Sequence, residues 1–233
     1  MPFDYQMVTF EEIIKNDFFK WALIYNMANQ QKKSCTESAD LYEDLLKCPG
    51  AKRLPGTGRK VYLAPRRWIT QLAKPQLEKA ASMKDYLVIK ESHTMAADKK
   101  FIVAYLATDK SNFSSEAQGE NGSKTMLNKL ALTFPGTEEE QSALASMLLN
   151  EDVIALIPQR NGKCRQFGDD NFECSVSPAQ SSGSSVTDET NTTVELSVGC
   201  ETLPPFYFGD IPTSEGTFSG ETGELKTAQA GDV

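Results

Sequence analysis

Residues Val153 to Phe167 constrain the fold more tightly than any other stretch of the chain. Val153, Ile154, Ala155, Leu156 and Ile157 form a short, continuously apolar run, Asn161-Gly162 follows it, and Lys163 to Phe167 leads back. An Asn-Gly pair between two such runs predicts a hairpin whose turn is type I′, with both residues at positive φ. After Gly168 the acidic pair Asp169 and Asp170 interrupts the pattern, and Phe172 to Val176 restarts it with Phe172, Cys174 and Val176 on one face. Ser177 to Asn191 then carries seven Ser or Thr, one Gly, one Pro and no aromatic residue, the composition of a solvated loop or a flexible arm. Strand character returns at Thr192 to Val198, where Val194, Leu196 and Val198 alternate with Thr193, Glu195 and Ser197. Nothing in this half of the chain has the look of a catalytic site.

The first half divides into helix and strand. Thr9 and Glu12 make a capping box, and Phe10, Ile14, Phe18, Trp21, Tyr25 and Ala28 recur at helical spacing, which predicts a helix over residues 9–29. A second, shorter helix is expected from Thr36, with Leu41, Leu45 and Cys48 on one side and Pro49-Gly50 closing it. From Arg53 onward the pattern becomes β: Val61 to Ala64, Tyr86 to Lys90, Phe101 to Ala107 and Met126 to Phe134, with Leu130, Leu132 and Phe134 in register. A polar segment at Gln76 to Lys84 has helical potential. Thr137 with Glu140 makes another capping box, and Ala143, Leu144, Met147 and Leu148 give a one-sided helix at about residues 137–149. The order of elements is α+β and mostly antiparallel. Three parts follow: a helical segment at 1–50, a β-rich domain at 51–212 and a polar tail at 213–233. The tail has only Phe218, Leu225 and Val233 as large apolar residues, so it is expected either to be disordered or to become ordered when neighbouring subunits cover it.

The chemistry-bearing residue types give little. The formal net charge of −8 argues against a general nucleic-acid binder, because phosphate affinity depends on Lys and Arg. Five cysteines, Cys35, Cys48, Cys164, Cys174 and Cys200, are an odd number with no CxxC pair, so the expected state is reduced, with Cys164 and Cys174 as small apolar fillers. There is no 18-residue apolar run, and no signal peptide or membrane span is expected. The single histidine, His93, has no nearby Cys or carboxylate pattern and is read as a surface residue. The segment from Gly50 to Lys60 lacks the spacing of a phosphate loop. Glu138, Glu139 and Glu140 open a helix, where they complement its dipole. Asp169, Asp170 and Glu173 lack the spacing of a calcium loop and read as a solvated turn. No cofactor, metal or catalytic residue is expected.

One constellation stands out. Lys52, Arg53, Arg59, Lys60, Arg66 and Arg67 place six positive charges between Gly50 and Trp68 with no acid among them. In an acidic chain this segregation suits a solvated loop, a subunit interface whose acids come from another copy, or a contact with DNA phosphates.

The ordered set "LNEDVIALIPQRNGKCRQFGDDNFECSV", a Ser/Thr-rich loop and "TVELSVGCETLPPFYFGDIP" resembles the C-terminal half of the major tail, or tail tube, proteins of tailed bacteriophages of gut-type bacteria, over roughly residues 125–212. In that family an apolar strand, an Asn-Gly turn, a basic return strand ending in Gly and a terminal aromatic strand recur in this order. The resemblance implies a β-sandwich or small barrel with flanking helices that self-assembles into a homo-oligomeric ring, expected to be a hexamer. Stacked rings would form a channel for genome delivery in the virion, made in the host cytoplasm. Implied partners are other copies, other phage tail proteins, and DNA passing through the lumen without specific binding; no membrane is involved. Phe206, Tyr207 and Phe208, with the six cations, are the candidate subunit interface. A tail hub, connector or tail-terminator ring is the nearest variant. A capsid-decoration or other binding module, and an enzyme of unrecognised type, belong to other classes.

Overall fold

A computed structural model describes residues 41–46, 48–50 and 54–226. The helix expected over residues 9–29 lies outside these residues, as does the start of the second. The expected second helix does not continue into the described residues 42–46, which are exposed and non-helical.

Fifteen strands and one α-helix follow in the described residues: β1 (Lys60–Pro65), β2 (Ile69–Gln71), β3 (Val88–Ile89), β4 (Thr94–Met95), β5 (Ile102–Tyr105), β6 (Asn112–Gln118), β7 (Thr125–Pro135), α1 (Glu139–Leu148), β8 (Val153–Pro158), β9 (Cys164–Phe167), β10 (Ser175–Ser181), β11 (Asn191–Cys200), β12 (Phe206–Tyr207), β13 (Asp210–Thr213), β14 (Gly216–Ser219) and β15 (Leu225–Lys226). The fold is α+β and rich in β-structure. A six-stranded sheet runs β3-β12-β9-β8-β1-β5 and a four-stranded sheet runs β10-β11-β7-β6. Pairing is antiparallel throughout the named strands except between β12 and β3. Neither sheet closes on itself among the described residues, so the expected alternative of a small barrel gives way to open sheets.

The six-stranded sheet is covered on both faces, which explains why β8 is apolar at every position. Val153, Ala155 and Ile157 point with Val61 and Leu63 into one core, where they meet Leu130, Leu132, Val194, Leu196 and Val198 of the four-stranded sheet and Ala145 and Leu148 of α1. Ile154 and Leu156 point with Tyr62 and Ala64 into a second core, with Ile89, Phe101, Tyr207, Ile211 and Phe218. Alternation along each strand splits one run between two cores. Cys174 lies in the first core and Cys164 in the second, where both fill apolar space as expected. Both thiols are free. Burial pushes each thiol up to about 12, which keeps it protonated.

The hairpin between β8 and β9 is present, but its turn is not type I′. Asn161 is not among the residues at positive φ; Gly162, at φ 87, is. The Gly162 N–H donates to Gln159 O at 2.9 Å and the Gln159 N–H to Lys163 O at 2.9 Å. This is a three-residue loop in which a tight turn is followed by a left-handed glycine. Asn161 contributes through its side chain, which accepts from the Lys163 N–H at 3.1 Å.

Other expectations shift in register or vanish. The helix begins at Glu139 rather than Thr137, with no side-chain cap; the Ser142 hydroxyl donates to Thr137 O instead. Its inward residues are Ala145 and Leu148, and Met147 is 74% exposed. Gln76 to Lys84 holds only a short 3-10 turn, Leu77–Lys79. Phe172 is partly exposed and the strand after it starts at Ser175. The first third of the expected polar loop, Ser177 to Ser181, belongs instead to β10, and β6 is a second polar strand with no apolar alternation; each lies at an edge of the four-stranded sheet. Edge strands bury less, so polar residues are tolerated in them.

The tail departs most from expectation. Residues 210–226 form a three-stranded sheet within a single chain. Phe218 is 8% exposed and packs on Tyr62 with ring centroids 5.5 Å apart. Backbone bonds hold the segment to the main body: Cys164 N–H to Gly220 O and Phe101 N–H to Pro212 O, both 2.9 Å. The domain therefore extends past Pro212, because the tail joins a core whose other walls are supplied from far away in sequence.

Candidate functional site

The basic segment is built by β1 and the short 3-10 turn Arg66–Trp68 that follows it. Lys52 and Arg53 lie outside the described residues. Arg66 donates to Asp170 and to Ile69 O, Arg67 pairs with Glu151 at 3.0 Å, and Lys60 pairs with Glu215 at 2.8 Å. Lys60 also lies 4.9 Å from the centroid of the Tyr105 ring and 5.1 Å from that of Phe218. The Glu215 hydrogen bond raises the Lys60 pKa against the opposing effect of burial. Burial pushes the Asp170 carboxyl up, but Arg66 and Lys74 outweigh it and hold it below its ordinary value. The acids expected from a neighbouring copy are therefore supplied, for these three cations, by distant segments of the same chain. Arg59 is exposed and makes no ion pair among the described residues. Exposed pairs of this kind are each worth at most about 1 kcal/mol.

The aromatic segment behaves residue by residue. Tyr207 is fully buried, so it is core and not contact surface, which corrects its place in the candidate interface. Its hydroxyl accepts from the His93 backbone N–H at 3.1 Å and donates to Asp210 O at 2.9 Å. Phe206 and Phe208 are half-buried, and each carries a cation: Arg165 stands 4.0 Å from the Phe206 centroid and Lys163 5.8 Å from that of Phe208. Burial lowers the Arg165 pKa. Tyr207→Phe should lower stability by about 1–3 kcal/mol, since the two backbone groups it joins lose their partner in a dry site. Urea unfolding followed by circular dichroism measures this, and an unchanged midpoint would show that the hydroxyl has no part in stability.

His93 is also buried, at 5% exposure, where a surface position was expected. Its Nδ1 accepts from the Ala73 N–H at 3.0 Å, and its ring stacks on Tyr207 with centroids 4.5 Å apart. The acceptor role of Nδ1 puts the proton of the neutral ring on Nε2. Burial drives the imidazole pKa down to about 4, against a smaller upward pull from Gln166. That pull does not amount to a completed bond: His93 Nε2 and Gln166 Oε1 both remain without a hydrogen-bond partner. A neutral, wedged ring of this kind serves packing, and no carboxylate or thiol among the described residues joins it as a triad.

Asp169 is half-buried and Asp170 exposed, as in a solvated turn, but neither carboxylate is free. They meet Lys74, at 3.6 and 3.4 Å, and Asp170 also meets Arg66. Sequence reading missed Lys74, Glu151 and Glu215 as partners, and it missed Asn128 and Gln166, two buried amides on β7 and β9. Only the polar residue within the apolar stretch of β7 marks Asn128 in the sequence; nothing local marks the others. Among the described residues no helix is long and apolar enough to cross a membrane.

No family model, curated protein or solved structure matches the chain.

Proposed function

We propose that the chain is a structural, non-enzymatic virion protein of a tailed bacteriophage, whose copies assemble into rings that build the tail tube. The observation that carries this reading is the ordered set of motifs in residues 125–212, from the apolar strand and its Asn-Gly hairpin to the terminal aromatic strand. Two open sheets add support. Edge strand β6 presents Asn112 to Gln118 with β7 on one side alone, and its one charged residue, Glu116, is already paired with Lys129 at 3.1 Å. A long, nearly uncharged edge is a natural place for another chain to add. The opposite edge, β10, is less suited, because Pro178 lacks a backbone donor. In this reading the net charge of −8 leaves the channel wall without strong attraction for DNA.

Assembly of the full chain tests the proposal. Sedimentation velocity and negative-stain images should show rings or stacked rings, weakened by salt as exposed pairs are screened within about 10 Å at 0.1 M. Arg59→Glu should shift the distribution toward monomer while circular dichroism stays unchanged, since Arg59 holds no partner within the described part of its own chain. A monomer at every concentration and salt would sink the ring reading and leave the binding-module class in its place.

A further inference from the structure

The two sheets of the first core do not end together. Phe113 of β6, the edge strand of the four-stranded sheet, packs on β9: its ring centroid lies 5.7 Å from that of Phe167 and 5.4 Å from the Arg165 guanidinium. Past β9 the six-stranded sheet continues through β12 and β3, whereas nothing follows β6. Phe206 and Phe208 flank Tyr207, whose ring is in the second core, so strand alternation turns both toward the side of the first. Neither belongs to that core, and both stay half-buried. Arg165, 4.0 Å from the Phe206 centroid, and Lys163, 5.8 Å from that of Phe208, make no ion pair among the described residues. The result is a step: an open strand edge beside a ledge of two aromatic rings and two cations.

An extended segment fits such a step, because it pairs with β6 through its backbone and lays alternate side chains on the ledge. Aromatic side chains suit it best, since rings pack edge-to-face on other rings and offer their faces to a guanidinium. A strand embedded in the body of another copy would bring its own six-stranded sheet into the space that the ledge occupies, so the occupant comes from outside the sandwich. Phe3, Tyr5 and Met7, which lie outside the described residues, alternate with Asp4 and Gln6 and would share one face of an extended chain. Residues 9–40 join this segment to the body. The helix expected over 9–29 is alone about 30 Å long at about 1.5 Å per residue, enough to reach a neighbour. A contact between this segment and that edge is heterologous, each copy giving one surface and receiving the other, and such contacts close into rings.

We propose that Phe3 to Met7 of one copy adds as a strand to the open edge of β6 in the next, with Phe3, Tyr5 and Met7 on the ledge of Phe206, Phe208 and Arg165. The inference rests on the ring reading and names the contact that closes the ring.

The test puts the photoreactive residue benzoylphenylalanine in place of Tyr5 in the full chain, and irradiates an equal mixture of unlabelled and isotope-labelled protein. Mass spectrometry should find crosslinks from position 5 to peptides carrying β6 or Phe206 to Phe208, and mixed-isotope pairs should show that they join different copies. Ala117→Lys is the matched variant. Ala117 is exposed and shares the face of β6 that carries Phe113, so a cation there stays in water until an added strand would bury it. It should cut the crosslink at least tenfold and shift sedimentation toward monomer, with circular dichroism unchanged. Rings whose crosslinks from position 5 fall elsewhere, or only within one copy, would overturn the inference and leave the ring reading standing. A monomer at every concentration would remove both. The parent's crosslink map decides the matter even where Ala117→Lys folds poorly.

Discussion

Gly162→Val should lower the stability of the protein by about 3 kcal/mol or more. Two costs fall on one atom. Gly162 has φ 87, where a β-branched residue is strained by about 1–3 kcal/mol. A Cβ placed on it would also stand 2.6 Å from Thr222 O and 3.2 Å from Thr222 C, both backbone atoms of the segment joining β14 and β15. Relief would require the hairpin to part from that segment, which the Cys164 N–H to Gly220 O bond holds in place. Gly122 offers the control, because it has φ 94 but a Cβ added there meets nothing within 4 Å. Gly122→Val carries the conformational strain alone. Urea unfolding of both variants separates the two costs; equal losses would show that Thr222 moves freely and that the hairpin is not clamped by the tail.

The second large effect is acid destabilisation through His93. Its folded pKa of about 4 lies below the ordinary 6.5, so between those values the unfolded chain binds the proton that the folded one refuses. Stability then falls as pH drops from about 6.5 toward 4, in total by about 3 kcal/mol for a shift of this size. The groups that face the ring, Gln166, Arg66 and Asp170, are already included in that shift. Asp85, Asp170, Asp188 and Glu215, whose carboxyls are held below their ordinary values, add their own loss only at the acid end of the range. The chain has one histidine, so its ring proton signal can be followed without ambiguity. A titration midpoint near 6.5 would sink the prediction. His93→Asn should flatten the stability profile between pH 6.5 and 5, whatever it costs at neutral pH.

Both effects depend on contacts that no local pattern announces. The strands of the first core were legible because period-two alternation is written in adjacent residues: Val194, Leu196 and Val198 are at most 2% exposed, as are Leu130 and Leu132. The β8 run was legible as a strand; that its unbroken apolar character serves two cores, one on each face, emerged only from the sheet packing. Polar edge strands were not legible, since Asn112 to Gln118 and Ser175 to Ser181 take their conformation from a neighbour and not from their own side chains. The same limit applies to the candidate site. Six cations could be counted, but Arg66 meets an acid 104 residues away and Lys60 one 155 residues away.

By itself, then, the sequence determined the β-rich class, the hairpin at Asn161-Gly162, the long strand ending at Phe134 and the presence of a helix after it. Each rests on spacing within a few residues, where backbone geometry dictates which side chains share a face. Only the tertiary structure decided the turn type, the burial of His93 and Tyr207, the order in residues 213–226 and the pairing of the cations. Those outcomes depend on which strands lie side by side. Residues 213–226, with few large apolar side chains, fold when a second core is waiting for Phe218, and a lone histidine is buried when Tyr207 and the Ala73 N–H close around it. Sheet order sets these meetings, and it is a property of the whole chain's packing that no short window contains.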